Sequence, residues 1–138
     1  NRDRYTPLGG KIDPNERPAD AARREVREEA GIDVRDLKLC GLLTETSPTR
    51  YNWTNYVYTA FVAGFDPGPC DEGTLAWVAA DKLRDLPTPE TDRFIYEAVM
   101  RGSFFVFDAV FDDQIRLLQM TDELSGDVLY TRQTEQDL

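Results

Sequence analysis

The chain has 138 residues, of which 41% are hydrophobic and 30% charged, the composition of an ordinary globular domain. Its 16 Lys and Arg residues stand against 26 Asp and Glu residues, which gives a formal net charge of −10. This charge argues against duplex nucleic acid and anionic membranes as partners, because both attract basic surfaces. The sequence contains no His, which excludes His-based catalytic triads and zinc sites with His ligands.

The cysteines and the hydropathy of the chain indicate the cellular compartment in which the protein is expected. Cys40 and Cys70 match no metal-binding spacing, so we expect two reduced thiols of a cytosolic protein. No apolar run approaches the roughly 20 residues of a membrane span, and no secretory leader is recognisable. We therefore expect a cytoplasmic protein without membrane partners.

The first predicted element is a helix over residues 19–30. A polar, turn-rich segment over residues 1–16 precedes it. Pro18 stands where the first turn of a helix tolerates proline, and Gly31 is a typical residue for ending one. These two signals define the helix at both ends.

The remaining elements mix short strands with two more helices, and no element is predicted in the acidic tail after Thr121. The predictions are strands over 37–46, 55–63, 74–78, 104–111 and 115–120, a short helix over 81–86 and a longer helix over 90–101. Because strands and helices do not alternate regularly, the pattern predicts an α+β fold with a mixed sheet.

Three glutamates share one face of the first helix. Glu25, Glu28 and Glu29 stand at positions i, i+3 and i+4, so their like charges repel one another. A solvated acidic face is the usual explanation for such a pattern. A bound cation is the functional alternative, because clustered carboxylates suit hard divalent metals.

The residues around these glutamates favour the cation. Gly10 is followed at fixed spacing by Glu16, then by Arg24-Glu25-Val26, Glu28-Glu29 and Gly31-Ile32. A chance match to this pattern has a probability on the order of one in a billion per starting position. The segment resembles the Nudix box at every fixed position. The resemblance implies a Nudix-fold α/β/α sandwich and hydrolysis of a nucleoside diphosphate linked to another moiety.

The resemblance also implies roles for individual residues. It implies Mg²⁺ as the cofactor, with Mn²⁺ as a substitute, held by Glu28, Glu29 and the backbone carbonyl of Gly9. Glu25 is then a further ligand or the base that activates water, and these alternatives stay open. Arg24 and Glu16 would orient the glutamates.

A further acid is expected from outside the box. The segment Asp71-Glu72-Gly73 with Trp77-Val78 is similar to a Glu-Gly and Trp-Val segment of many family members. This similarity implies Glu72 as an additional catalytic acid and metal ligand, with Asp71 as its competitor.

Outside the box, the chain loosely resembles the 8-oxo-dGTP diphosphatase branch of MutT-type enzymes. That branch implies a purine nucleoside triphosphate as substrate, and an acid before the second long helix that reads the purine edge. The candidates for this acid are Glu90 and Asp92. The other expected substrate-binding residues are Gly10, Lys11 and an aromatic residue drawn from Tyr51, Trp53, Tyr56 and Tyr58, with Tyr58 preferred.

Other substrates and a non-enzymatic role remain alternatives. Pro48 is near the position of a proline marker of ADP-ribose pyrophosphatases, and Tyr51 is near a tyrosine marker of dinucleoside-polyphosphate hydrolases. A catalytically silent nucleotide-binding module is a third alternative, although such modules usually lose a metal-binding glutamate. The expected partner is a small nucleotide, and the chain is expected to be a monomer or a homodimer.

The start of the chain departs from the family pattern. Family members commonly carry one or two strands before the box, whereas nine residues precede Gly10, and Leu8 replaces the usual Pro. We expect residues 1–138 to form a single Nudix domain, with the box at 10–32. Either the given sequence omits an N-terminal strand, which we favour, or the fold is trimmed at this end.

Overall fold

A computed structural model describes residues 7–62, 69–70, 73–74 and 78–133. Two α-helices, a short 3₁₀ helix and seven strands lie in these ranges. They are α1 (Pro18–Ala30), β1 (Lys38–Thr46), β2 (Trp53–Thr59), β3 (Pro69–Cys70), β4 (Gly73–Thr74), the 3₁₀ helix (Ala80–Asp85), α2 (Asp92–Arg101), β5 (Phe105–Phe111), β6 (Leu117–Asp122) and β7 (Val128–Thr131).

Five strands form one mixed sheet. Their order is β2-β1-β5-β6-β7, with β1 and β5 parallel and the β5-β6 and β6-β7 pairs antiparallel. β3 and β4 form a separate two-stranded antiparallel ladder. Parallel and antiparallel pairs in one sheet, combined with helices, make the fold α+β.

The chain divides into two compact units. One comprises Asn1–Lys38 with Tyr58–Pro89, and the other comprises Leu39–Val57 with Glu90–Leu138. The first carries α1 and the loop before it. The second carries α2 and most of the five-stranded sheet.

The second unit is built around an apolar core on one face of the sheet. Every second residue of β5 is buried, as the period of a half-covered strand requires. Ile95 and Ala98 of α2 join this cluster, which also contains Leu43, Phe105, Phe107, Ala109, Phe111, Leu117 and Met120. Burial of each Leu, Ile, Phe or Met side chain in this cluster contributes about 1.5–3 kcal/mol, and the contacts of Ile95 and Ala98 fix α2 on the sheet.

Most predicted elements are confirmed, with shifts at their ends. α1 begins at Pro18 and ends before Gly31, as predicted. The strand expected at residue 115 begins instead at Leu117, because Ile115 adopts a left-handed conformation with φ of 59° in the turn. The sequence also gave no indication of β7. Its side chains are largely exposed, so it lacks the alternating burial by which a strand is recognised.

In the ranges that the structure describes, none of the helices combines the length and the apolar character needed to span a membrane.

Candidate active site

The first unit holds its three glutamates on a helix whose ends are fixed by local chemistry. Pro18 occupies the first turn of α1, where a missing N–H costs nothing. Gly31 ends the helix in a left-handed conformation with φ of 72°, and its N–H donates to the carbonyl of Arg27 at 2.9 Å. Glu25, Glu28 and Glu29 lie in the last two turns, so their positions along the helix are set.

Arg24 organises the charged groups around these glutamates. Its guanidinium donates to both carboxylate oxygens of Glu16, at 2.9 and 3.0 Å. It also donates to Glu25 Oε1 at 2.8 Å, to Glu28 Oε2 at 3.3 Å and to the carbonyl of Lys11 at 2.8 Å. A planar guanidinium with five N–H donors can hold several acceptors in fixed directions at once. Arg24 therefore links the loop before α1 to two of the three glutamates.

The Arg24–Glu16 contact changes the protonation behaviour of both groups. The hydrogen bond from Arg24 lowers the pKa of Glu16 to about 2, and the backbone N–H of Asp13 contributes in the same direction. The hydrogen bonds to Glu16 and then Glu25 raise the pKa of Arg24. Both groups are consequently charged over the whole neutral range.

A pair of glycines brings the loop against the same helix. The N–H of Gly9 donates to Glu29 Oε2 at 3.1 Å. A Cβ placed at Gly10 would overlap the carboxylate of Glu25, whose side chain is only 12% exposed. The absent side chain at position 10 is therefore what allows the backbone to approach Glu25. The predicted role of the Gly9 carbonyl as a metal ligand stays a prediction.

The donor chemistry of this cluster fits a hard divalent cation. Glu25, Glu28 and Glu29 offer only oxygen atoms, which Mg²⁺ prefers. Within the described residues, no three acidic or cysteine side chains converge closely enough to hold a metal ion in this conformation. The carboxylates instead contact Arg24 and Gly9. The Glu28 side chain is 58% exposed, so it can turn toward an ion without breaking a packed core.

The other residues predicted to act in this unit are Lys11, Tyr58, Glu72 and Asp71. Lys11 is exposed, and its carbonyl accepts the hydrogen bond from Arg24. Tyr58 lies half-buried on β2. Glu72 and Asp71 fall outside the described residues, so their predicted roles stay predictions.

The second unit contains a separate acidic cluster at the start of α2. Asp92 is the first residue of this helix, and its buried Oδ2 has no hydrogen-bond partner among the residues that the structure describes. Burial, followed by the charge of Glu45, raises the pKa of Asp92 to about 6. The positive end of the helix dipole would lower the pKa of Asp92, but the effect of desolvation is larger. A buried acceptor without a donor is unusual and is a place where a ligand N–H can bind.

Glu45 is held in place by two side-chain donors, one in the loop before β2 and one on β2 itself. The Asn55 amide donates to Glu45 Oε1 at 2.8 Å and to the carbonyl of Leu43 at 3.2 Å. The Tyr51 hydroxyl donates to Glu45 Oε2 at 3.2 Å. Burial and the charge of Glu45 raise the pKa of Tyr51 to about 12, so this hydroxyl keeps its proton.

Sequence reasoning did not find Glu45 and Asn55. The alternation of polar residues along β1 and β2 was the available signal, but it does not show which residues face one another. The pairing of these two side chains depends on the register of neighbouring strands.

Glu90, the other candidate for the purine-reading acid, forms an ion pair with Arg132. The Arg132 guanidinium donates to both oxygens of Glu90, at 2.8 and 2.6 Å. These residues lie 42 positions apart, and no local pattern in the acidic tail marked Arg132. Of the two candidate acids, Asp92 is the one with an unsatisfied oxygen.

The aromatic residues proposed for base stacking differ in their packing. Tyr51 packs against the core and makes edge-to-face contacts with Trp53 at 6.2 Å and Phe111 at 5.6 Å between ring centroids. Trp53 is 41% exposed and Tyr56 is 43% exposed. Tyr51 therefore has the surroundings of a packing residue, whereas Trp53 and Tyr56 present a face to solvent.

Comparison with known proteins indicates the family of this chain. The family model of the NUDIX domain matches residues 1–99. A curated protein of Mycobacterium tuberculosis, named "Putative 8-oxo-dGTP diphosphatase 2", is 31% identical over 85 residues, covering 62% of this chain and 60% of that protein. The "Uncharacterized Nudix hydrolase YvcI" of Bacillus subtilis is 28% identical over 99 residues, covering 68% and 63%. The chain thus matches less than two thirds of the length of either curated relative.

A solved structure has a similar fold over most of the chain. The crystal structure of the mutator MutT protein from Bacillus halodurans superposes with a TM-score of 0.77 at 22% identity, covering 85% of this chain and 80% of that one. At this identity the likeness concerns the fold, which confirms the α+β fold class predicted from the sequence. With the family model matching most of its length, the chain belongs to the Nudix family.

Proposed function

We propose that this chain is a single Nudix domain that acts as a divalent-metal-dependent nucleotide pyrophosphohydrolase. The observation that carries the proposal is the arrangement around Arg24, which holds Glu25 and Glu28 while Gly9 contacts Glu29. The three glutamates next to this glycine loop offer the oxygen donors that a phosphate-bound cation requires, and in this proposal their side chains turn toward the ion when it binds.

In this proposal Glu28 and Glu29 hold the cation, with Mg²⁺ as the natural ion and Mn²⁺ as a substitute. The bound ion would neutralise phosphate charge and lower the pKa of its water. Glu25 completes the ligand set or accepts a proton from the attacking water. Glu72 is the further acid proposed from outside the box, and Arg24 keeps the glutamates oriented.

The proposed substrate is a purine nucleoside triphosphate, with 8-oxo-dGTP as the leading candidate. The names of the Mycobacterium tuberculosis relatives support this substrate. Asp92 supports it independently, because a buried oxygen without a donor suits an N–H on a base edge. Gly10, Lys11 and Tyr58 are the other residues proposed to contact the nucleotide.

The proposed reaction adds one water molecule across a phosphoanhydride bond. The water oxygen forms a bond to phosphorus, the bridging P–O bond breaks, and the water protons go to the base and the leaving phosphate. Cleavage between the α and β phosphates gives a nucleoside monophosphate and pyrophosphate.

A substrate screen tests this proposal. Pyrophosphate and phosphate release are measured with Mg²⁺ over 8-oxo-dGTP, dGTP, the other dNTPs, ADP-ribose and diadenosine polyphosphates. Pyrophosphate release from 8-oxo-dGTP well above that from dGTP supports the full proposal. Turnover of ADP-ribose alone contradicts the proposed substrate but still supports metal-dependent pyrophosphohydrolase activity. Absence of turnover on every substrate, with nucleotide binding retained, favours a silent module.

A further inference from the structure

The strongest unassigned feature is the contact between Arg132 and Glu90. Arg132 follows the last residue of β7 and makes two hydrogen bonds to backbone carbonyls of the neighbouring strand β6. Its backbone N–H donates to the carbonyl of Leu118 at 2.7 Å, and its Nε donates to the carbonyl of Leu117, also at 2.7 Å. Leu117 is fully buried, so the side chain is attached to the rigid part of the sheet.

The free end of the same guanidinium reaches Glu90. NH2 donates to both carboxylate oxygens, at 2.8 and 2.6 Å, within the range of strong charge-assisted hydrogen bonds. The Arg132 side chain is 32% exposed and that of Glu90 is 42% exposed. An ion pair with this exposure adds little to global stability, so its main physical effect is to fix the position of Glu90.

Glu90 lies two residues before Asp92, where α2 begins. Thr91 between them is only 4% exposed and adopts a helical backbone conformation. The Thr91 side chain makes no capping hydrogen bond to the described part of the helix, although the Thr91 carbonyl accepts the N–H groups of Phe94 and Ile95 at 3.1 and 3.3 Å. The residues before Asp92 therefore determine where the helix starts and how Asp92 is presented.

We propose that Arg132 is a positioning residue for substrate recognition, which fixes the start of α2 through Glu90 and thereby the buried oxygen of Asp92. This inference rests on the proposed function, because it assigns Asp92 to reading the base. Glu90 then positions Asp92 without contacting the base, and Arg132, at the end of β7, contributes to substrate specificity through Glu90. Glu90 and Arg132 do not touch the reacting phosphates in this account.

The test is a double-mutant cycle on KM and kcat. Glu90→Ala, Arg132→Ala and the double variant are compared with the unchanged chain on 8-oxo-dGTP and dGTP. Each single variant should raise KM for 8-oxo-dGTP about tenfold and change kcat less than about twofold, since binding precedes the chemistry. The double variant should resemble Arg132→Ala, because removing Arg132 already breaks its contact with Glu90. Glu90→Ala leaves the contact of Arg132 with Leu117 intact, so the test does not depend on that contact.

Two further variants separate positioning from a merely structural role. Adding Glu90→Ala to Asp92→Asn should give no further increase in KM, because the residue that Glu90 positions has already lost its carboxylate. Arg116→Ala serves as the matched control, since it breaks an exposed ion pair of similar length with Asp112 in the β5–β6 turn, at 2.7 Å. This control should leave KM unchanged.

The outcomes distinguish this inference from the function on which it rests. If the unchanged chain fails to hydrolyse any purine nucleoside triphosphate with Mg²⁺, the proposed function fails. If that chain is active but Glu90→Ala and Arg132→Ala leave KM unchanged, or lower only kcat or thermal stability, the positioning role is wrong.

Discussion

The backbone of Gly10 lies so close to the carboxylate of Glu25 that a Cβ at position 10 would overlap this carboxylate where it now stands. Glu25 is held at this place by Arg24, whose NH1 donates to its Oε1 at 2.8 Å. The loop and the helix thus share one fixed point at the centre of the proposed metal site.

Gly10→Ala is predicted to reduce activity much more than stability. The added methyl meets only the flexible end of Glu25, so the side chain can turn away and unfolding free energy should change by less than about 1 kcal/mol. A displaced catalytic carboxylate should cost about 10- to 100-fold in kcat. Gly9→Ala is the comparison, because an added Cβ there meets no atom within 4 Å. An equal loss in both variants would contradict the role given to Gly10.

Mg²⁺ is predicted to raise the melting temperature of the chain. Binding to the folded state relieves the repulsion among Glu25, Glu28 and Glu29, and a tenfold excess over Kd adds about 1.4 kcal/mol. Thermal unfolding with increasing Mg²⁺ measures this effect. Glu28→Gln and Glu29→Gln should each reduce the shift. A shift that is the same in both variants as in the unchanged chain would place the ion elsewhere.

Asp92→Asn is predicted to stabilise the fold at neutral pH. Burial raises the pKa of Asp92 from 3.8 to about 6, so the folded state binds its proton more tightly than the unfolded chain does. Stability therefore falls as the pH rises between these values, and the penalty at neutral pH is at most about 3 kcal/mol. Urea unfolding near pH 4 and near pH 7.5 should show a gain from the substitution only at the higher pH. An equal gain at both pH values would show that its cause is not ionisation.

Glu16→Gln is predicted to change acid unfolding in the opposite sense. Arg24 lowers the folded pKa of Glu16 from 4.5 to about 2, so this contact stabilises the fold above pH 4.5 and is lost as the pH falls toward 2. The variant should be less stable at neutral pH and show a shallower loss of stability between these pH values. Acid titration followed by circular dichroism measures both. A slope identical to that of the unchanged chain would contradict the importance of this ion pair.

The sequence was sufficient for those features whose causes are local. Pro18 and Gly31 define α1 because their backbone preferences act within one turn. The glutamates of the box follow from the same short segment, together with Arg24 and the two glycines. The buried face of β5 is visible in its alternation of Phe105, Phe107, Ala109 and Phe111.

The features that were missed depend on contacts distant in the sequence. β7 is held in place by pairing with β6, and its exposed side chains carry no pattern that predicts it. Asp92 was identified as a candidate, but its surroundings depend on Glu45, which the sheet brings near. The ion pair between Glu90 and Arg132 could not be inferred from either residue alone, because the two residues are 42 positions apart and only the tertiary structure brings them together.

The proposed function depends most directly on Glu29 as a metal ligand for nucleotide hydrolysis. The decisive measurement is Mg²⁺-dependent pyrophosphate release from 8-oxo-dGTP by the unchanged chain, Glu29→Gln and Glu97→Gln, the last a control on α2 outside the box. Glu29→Gln is predicted to fold normally and to lose at least about 100-fold in kcat, while Glu97→Gln retains full activity. A fully active Glu29→Gln variant would contradict the proposed site.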